Sequence, residues 1–439
     1  MDNDKQLHNP ESEQGKEVKR KPLHKHIIHR VRNAHKRVTK YLYERDTMFA
    51  TAWVFAFIIM VKVLTFLPNI HFFDPIEKSM EDFDFNDIGY SQLKKVKKDS
   101  LDDRIVIINI GEFDREGLAL LINKTASMGA KVIGLDATMT EPRDPHKDSL
   151  IRDAINKNKN LVIASRFFPG EGKKESVYSP NFFSSPTTND GYVNFFDKEW
   201  ATVRIWNPFK KDEEHSNVSY KSFATSLVEK YDSAAYTKLV KRGNATETIN
   251  YRRSLDMKQY LKIEGEDLLE GNVDTTYIKG KIALLGYVDM NPENIEDKKY
   301  TPLNEEFAGK SIPDMNGIII HANIISMVLD GKYVNKLPLW LVILVAVLIG
   351  WLHMSFFIHY YLENHIWFHL VAKLAQLISA LIFVYLGIVL FHKFRLKLDM
   401  SLTIVVIVLA VDIIYFYEAF AVWLHKKFGY RTVFHQKHH

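Results

Sequence analysis

Four long apolar runs, at residues 47–67, 338–358, 367–391 and 399–424, punctuate this chain. Each can cross a hydrocarbon core about 30 Å thick. The stretch between the first two runs is far too long for a loop and carries its own alternation of elements. Arg104–Ile110 is a nearly continuous β-branched run, as expected of a strand buried on both faces. Leu118, Leu121, Ile122 and Met128 recur at helical spacing, which predicts a helix over 114–128 that Gly129 stops. Lys131–Asp136 is the next strand, Asp148–Asn156 the next helix and Leu161–Ser165 a third strand. Such a β-α-β-α-β order predicts an α/β fold, a mainly parallel sheet with helices on both faces. Farther on, 191–196 and 203–206 suggest a hairpin, Tyr220–Tyr231 a helix, Lys281–Gly286 another buried strand and Ile318–Leu329 a closing helix.

The pattern divides the chain into a basic leader (1–45), a first span (46–68), an exterior α/β domain (69–336), a three-span helical bundle (337–425) and a short tail (426–439). Charge sets the orientation. Residues 1–45 carry twice as many Lys and Arg as Asp and Glu, which places both chain ends in the cytoplasm and the α/β domain outside. The short basic loop Lys393–Lys397 opposes that bias. No small-x-small cleavage pattern follows Leu67, so the first span is expected to stay as an anchor. Within the leader, Ile27, Ile28, Val31, Ala34, Val38, Tyr41 and Leu42 recur at helical spacing among basic residues. They predict either an amphipathic helix on the inner leaflet, with membrane lipid as its partner, or a helical extension of the first span. Nucleic acid is not an expected partner for a basic stretch tethered beside a membrane. The chain has no cysteine, which excludes disulfides and thiolate metal sites. The mean hydropathy of -0.16 averages apolar spans with a charged domain and hides the partition.

Catalytic motifs are missing. Pro169-Gly170-Glu171-Gly172 lacks the Lys-Ser/Thr pair of a phosphate loop, and neither a Gly-x-Ser-x-Gly elbow nor a His-Glu-x-x-His pair occurs. No enzyme activity, cofactor or metal is expected. Ligands of parallel sheets sit beyond the C-terminal strand ends. There the order of elements gathers Glu112, Asp114, Asp136, Thr138, Arg166 and Asp289, possible companions of His321 and Asn323. This set is either a weak ligand site or the ordinary polar rim of a sheet. For His321 and Asn323, hydrogen bonding to the neighbouring strand Lys281–Gly286 is the structural alternative. Phe167–Phe183 and Asn207–His215 are expected as exposed loops.

The middle domain resembles the second CHASE-type (CHASE-two) extracellular sensory domain. Arg104–Asn109 is similar to the family's opening strand, and Gly129–Asp136 to its Gly-Ala-x-x-Ile-x-Phe-Asp strand. Asp190–Asn194 resembles its Gly-Phe-Val-Asn turn, and Ile249–Arg252 its Ile-Asn-Phe-Arg segment. Gly280–Gly286 followed by Tyr300-Thr301-Pro302, and Gly317–Asn323 against Gly-x-x-x-His-Ala-Asn, complete the series over about residues 72–336. The family's Trp-Pro turn after the opening strand is replaced by Ile110-Gly111-Glu112-Phe113-Asp114. The resemblance implies a sensory domain outside a bacterial inner membrane. Only residues 425–439 follow Leu424, so no fused kinase or cyclase is expected. A binding event is expected to pass through the bundle to a separate protein partner, or within a homo-oligomer, with the ligand unknown. A docking subunit of an envelope complex is the second class, and an extracytoplasmic enzyme the third.

Ionisable residues inside spans are costly unless paired. Lys62 sits near the outer end of its span, where it can snorkel, and Asp412 near the midplane of the last. Counting residues from the span ends puts Lys373 and Glu418 at one depth, with His353 near the same level. That count predicts a Lys373–Glu418 ion pair, either structural or part of a proton or ion pathway.

Overall fold

The structure is a computed structural model that describes residues 41–65, 84–91, 101–169, 176–196, 202–212, 218–251, 260–291, 293–304, 312–363 and 365–437. The leader helix anticipated over 24–45, up to residue 40, and the glycines at 170 and 172 lie outside the described residues. Two compact units emerge. One comprises Leu67–Val342 with Leu381–Met400, and the other Met1–Phe66, Ile343–Ala380 and Ser401–His439.

The first unit is α/β. Its strands in chain order are β1 (Ile105–Asn109), β2 (Val132–Leu135), β3 (Leu161–Pro169), β4 (Ser176–Ser179), β5 (Asp190–Tyr192), β6 (Ile205–Trp206), β7 (Phe209–Lys211), β8 (Ser219–Lys221), β9 (Glu247–Thr248), β10 (Leu261–Glu264), β11 (Ile282–Gly286), β12 (Lys298–Lys299), β13 (Met315–Asn316), β14 (Asn335–Lys336) and β15 (Leu396–Lys397). Its longer helices are α1 (Arg115–Ser127), α2 (Pro145–Lys157), α3 (Phe223–Tyr231), α4 (Ser233–Arg242), α5 (Gly265–Glu270) and α6 (Gly317–Asp330). The main sheet runs β10-β1-β11-β2-β3-β5 with every neighbour parallel, and β4 folds back antiparallel on the far end of β3. All four strands expected from the β-branched runs are in it, with β11 inserted between β1 and β2.

Alternation across the sheet explains why those strands read as continuous apolar runs. Ile105 and Ile107 of β1 face one core with Ile282, Leu284 and helices α3, α4 and α6. Val106 and Ile108 face the other, with Ala283, Leu285, α1 and α2. Both faces are dry, so neither set of positions can be polar. Two helices approach the sheet more closely than a Cβ allows. A methyl on Gly191 would lie 2.5 Å from the Phe223 Cα, and one on Gly286 2.8 Å from Ile318 Cγ1. At these two positions glycine is required by space rather than by dihedral freedom.

Most of the motif residues behind the family resemblance hold this fold together. Arg104 grips Asp102 through Nε (2.8 Å) and Nη2 (2.7 Å) and reaches Asp330 at 2.8 Å, while Ser326 donates to Asp102 at 2.7 Å. Asn194 donates to the Phe167 carbonyl (3.0 Å) and accepts its N–H (2.7 Å), standing in for a strand partner. Thr301 N–H donates to Asp314 (2.7 Å), and Asn250 Nδ2 to the Lys332 carbonyl (2.8 Å). The end of the third span belongs to this unit. Phe391 meets the edge of Tyr90 at 5.0 Å, Lys397 pairs with Asp84, and β15 pairs in parallel with β14.

Three sequence expectations are corrected here. Residues 191–196 and 203–206 do not form a hairpin: β5 joins β3 in parallel, and β6 pairs antiparallel with β9. Phe167–Phe183 is not simply an exposed loop, because β3 extends to Pro169, β4 returns along it, and Phe167 and Phe183 are both buried. Likewise Asn207–His215 contributes β7, paired with β8, so the helix expected from Tyr220 starts only at Phe223. Within this segment Phe167 packs on Tyr178, and the same ring meets Tyr192 and Tyr220.

The second unit is helical. Among the described residues, four helices are long and apolar enough to cross a membrane: Arg45–Val63, Leu339–Glu363, Ile366–Phe394 and Ser401–Phe428. Val54, Ala346, Met354, Phe357, Phe368, Ala372, Val406, Ala410 and Ile414 form its core. Gln376 on the third helix donates to the carbonyls of Ile407 and Val408 on the fourth, both at 2.7 Å. The segment after the fourth helix folds back, burying Phe434 completely.

Candidate functional site

The C-terminal ends of the parallel strands bring some of the anticipated residues together and leave others apart. Asp136 follows β2 and Arg166 lies in β3, two positions beyond the register partner of residue 136. The loop before β12 adds Asp297, which holds a left-handed backbone (φ 55°) that a non-glycine residue seldom adopts. That twist turns the Asp297 carbonyl and carboxyl toward the first turn of α6, where the Gly317 N–H meets them at 3.2 and 3.3 Å. A carboxylate at a helix N-terminus is favourably placed.

Electrostatics marks Asp136. Burial pushes its carboxyl up to about 7, the charge of Asp297 adds to the rise, and Arg166 opposes it. Arg166 is exposed and makes no side-chain hydrogen bond or ion pair among the described residues. Next to Asp297, Asn316 precedes α6 without capping it, and its Nδ2 is buried without a hydrogen-bond partner among the described residues. Two carboxyls, a free guanidinium and an unused amide therefore converge at one edge. This arrangement can hold a small polar molecule that offers a donor or cation to the carboxyls and an acceptor to Arg166.

The other anticipated residues have structural places. Asp114 caps α1, accepting from Glu116 N (3.1 Å) and Gly117 N (3.0 Å), and pairs with Lys147 at 2.5 Å. Glu112 is exposed and Thr138 half-buried, and neither is drawn into the cluster. Asp289 closes its own turn, accepting from Asn291 N (2.7 Å) and Asn294 Nδ2 (2.5 Å). His321 lies one turn into α6, stacked on Phe195 (4.9 Å) with Phe223 edge-on (5.3 Å). Burial pushes its imidazole down to about 3, so it is neutral at ordinary pH. Asn323 donates to the Ile319 carbonyl at 3.0 Å, one turn back in α6. Sequence reasoning missed Asp297 and Asn316. An Asn before a Gly that opens an apolar helical run signals a helix start and could have found Asn316. No pattern singles out Asp297 within its acidic loop.

In the helical unit, Lys373 does not pair with Glu418. Its Nζ lies 3.7 Å from Asp412, and Glu418 accepts the Tyr361 hydroxyl instead. Counting depth ignored azimuth: six residues advance about 600° around a helix, so positions 412 and 418 face different ways. Glu418 is buried, whereas the Lys373 and Asp412 side chains are 57% and 56% exposed. His353 bonds within its own helix, to the Ile349 carbonyl at 2.9 Å. Asp46, which drew no attention in the sequence, is buried and accepts from Tyr417 (2.6 Å), Tyr430 (3.1 Å) and the Val433 N–H (2.7 Å).

The family model described as the CHASE2 domain matches residues 58–356. No curated protein and no solved structure matches the chain.

Proposed function

The chain belongs to the CHASE2 domain family, a family of sensory domains, and on that premise we propose that it is a membrane-embedded sensor without catalysis of its own. The α/β unit stands outside the cytoplasmic membrane and takes a small polar ligand at Asp136, Asp297 and Arg166. The helices relay that event to a separate polypeptide, which provides the output. The basic leader supports a cytoplasmic N-terminus.

One observation carries the relay: Lys373 and Asp412, on helices apolar enough to span a membrane, both turn outward from the helical unit. A charged pair facing hydrocarbon is costly, and intramembrane charges face protein or water in known folds. A partner helix against this face relieves that cost. Full-length protein extracted from native membrane in mild detergent tests the proposal. A polypeptide retained by the unaltered chain and lost from the Lys373→Met/Asp412→Asn double variant is the expected result, and retention by both removes the relay surface. The ligand half is tested separately by thermal unfolding against a panel of amines, amino acids and polyols. A rise seen with the unaltered protein and abolished in Asp136→Asn supports it. If no compound shifts unfolding while the partner still co-purifies, the protein is a docking subunit.

A further inference from the structure

Just before the second span begins, the α/β unit forms a polar cleft of about 490 Å³, lined by Arg242 at the end of α4, Asn244 just beyond it, Glu247 and Thr248 of β9, and Asn335 and Lys336 of β14. Its charges do not balance. Glu247 accepts from Arg242 Nε (2.6 Å) and Nη2 (3.1 Å) and from Asn244 Nδ2 (3.0 Å), so its hydrogen bonds go to Arg242 and Asn244 and its charge reaches Lys336 only at longer range. Lys397, paired to Lys336 in register, is answered by Asp84. Lys336 has no ion-pair partner among the described residues, and burial followed by repulsion from Lys397 holds its ammonium below the usual lysine value despite the opposing charges of Glu247 and Asp84. The Thr248 residue is only 4% exposed, and its hydroxyl has no hydrogen-bond partner among the described residues. One surplus positive charge and one unused hydroxyl donor suit the oxygens of an anion.

Position says which anion. Lys336 stands three residues before Leu339, the start of the second span, and Lys397 three residues after Phe394, the end of the third. The pairing of β14 with β15 sets these two span ends side by side. Exposed Lys393 and Arg395 flank the same place, and Trp340, 66% exposed in the first turn of the second span, has the amphipathic ring that settles at headgroup depth. We infer that the cleft receives the phosphate of an anionic glycerophospholipid headgroup, with Lys336 as its charge partner and Thr248 as a hydrogen-bond donor. This inference requires the spans to lie in a bilayer and is independent of the sheet-edge ligand.

The test uses full-length protein in a neutral detergent, followed by thermal unfolding during titration with phosphatidylglycerol, phosphatidylcholine or inorganic phosphate. Phosphatidylglycerol is expected to raise the unfolding temperature saturably, and the other two to leave it unchanged. Lys336→Gln is expected to weaken the apparent affinity for phosphatidylglycerol five- to tenfold. Thr248→Val, which preserves shape and net charge, is expected to weaken it two- to threefold. Lys157→Gln, at the end of a helix on the opposite face of the sheet, is expected to change nothing. An equal response to phosphatidylcholine, or undiminished affinity in both cleft variants, overturns the site. A shift reproduced by inorganic phosphate at the same concentration assigns the cleft to a soluble anion and overturns the lipid.

Discussion

The two units treat buried carboxylates differently. In the α/β unit several carboxylates that leave solvent meet guanidinium groups: Arg204 clasps Asp87 through three contacts of 2.6–3.1 Å, Arg242 clasps Glu247, and Arg115 clasps Asp148. In the helical unit the buried carboxylates Asp46 and Glu418 meet tyrosine hydroxyls, and the one lysine–aspartate pair among the described span residues lies on the outside. A phenol costs far less to bury than a guanidinium. A unit whose surroundings are also apolar gains nothing by desolvating a second ion. Lys373 and Asp412, paired on the outside, depart from that economy of charge.

The contrast can be broken at either end, and Arg204→Met should have the largest effect. It leaves Asp87 buried without its partner and should cost about 3–5 kcal/mol of thermal or denaturant stability. Adding Asp87→Leu should recover most of it. A loss under about 1 kcal/mol in the single variant would mean that the clasp is surface decoration.

Next comes Asp136→Asn, whose effect has a sign set by pH. The folded carboxyl titrates near 7 against an ordinary value of 3.8. The folded state therefore binds a proton more tightly than the unfolded chain, and its stability falls as pH rises from about 4 to 7. The variant should be more stable than the parent by about 2 kcal/mol at pH 8 and no different at pH 4. A pH-independent difference contradicts the burial of that carboxyl.

Tyr361→Phe should cost about 1–2 kcal/mol, since Glu418 loses its hydroxyl donor while remaining buried. The smallest effect on stability belongs to the Lys373→Met/Asp412→Asn double variant, within about 1 kcal/mol, because both groups are largely exposed in the isolated chain.

The α/β layering was legible because a strand buried on both faces has to be written as an unbroken apolar run, and β1, β2, β3 and β11 are. Their order was not. Ile282–Leu285 is as apolar as Val132–Leu135, so nothing local tells β11 to lie between β1 and β2. The short strands β5 and β6 failed as a hairpin because two or three residues carry too little periodicity to declare a partner. At the candidate site, Asp136 and Arg166 were legible from their places at strand ends. Asp297 was not, because its role comes from a left-handed backbone in a loop. In the spans, depth could be counted along the chain but the direction of each side chain could not. Depth alone therefore pairs Lys373 with Glu418, whereas direction brings it to Asp412.

The outward Lys373–Asp412 face is where the account is most exposed to refutation, and the absence of native cysteine makes it directly accessible. Leu377 lies one turn from Lys373 and is 57% exposed, whereas Leu352 on the second span is 53% exposed on another helix. Each would be changed singly to cysteine and treated with a bismaleimide in native membranes. The account predicts a discrete covalent adduct with a second polypeptide from Leu377→Cys, lost when Lys373→Met and Asp412→Asn are added, and none from Leu352→Cys. No adduct at position 377, or equal adducts at both positions, would contradict it.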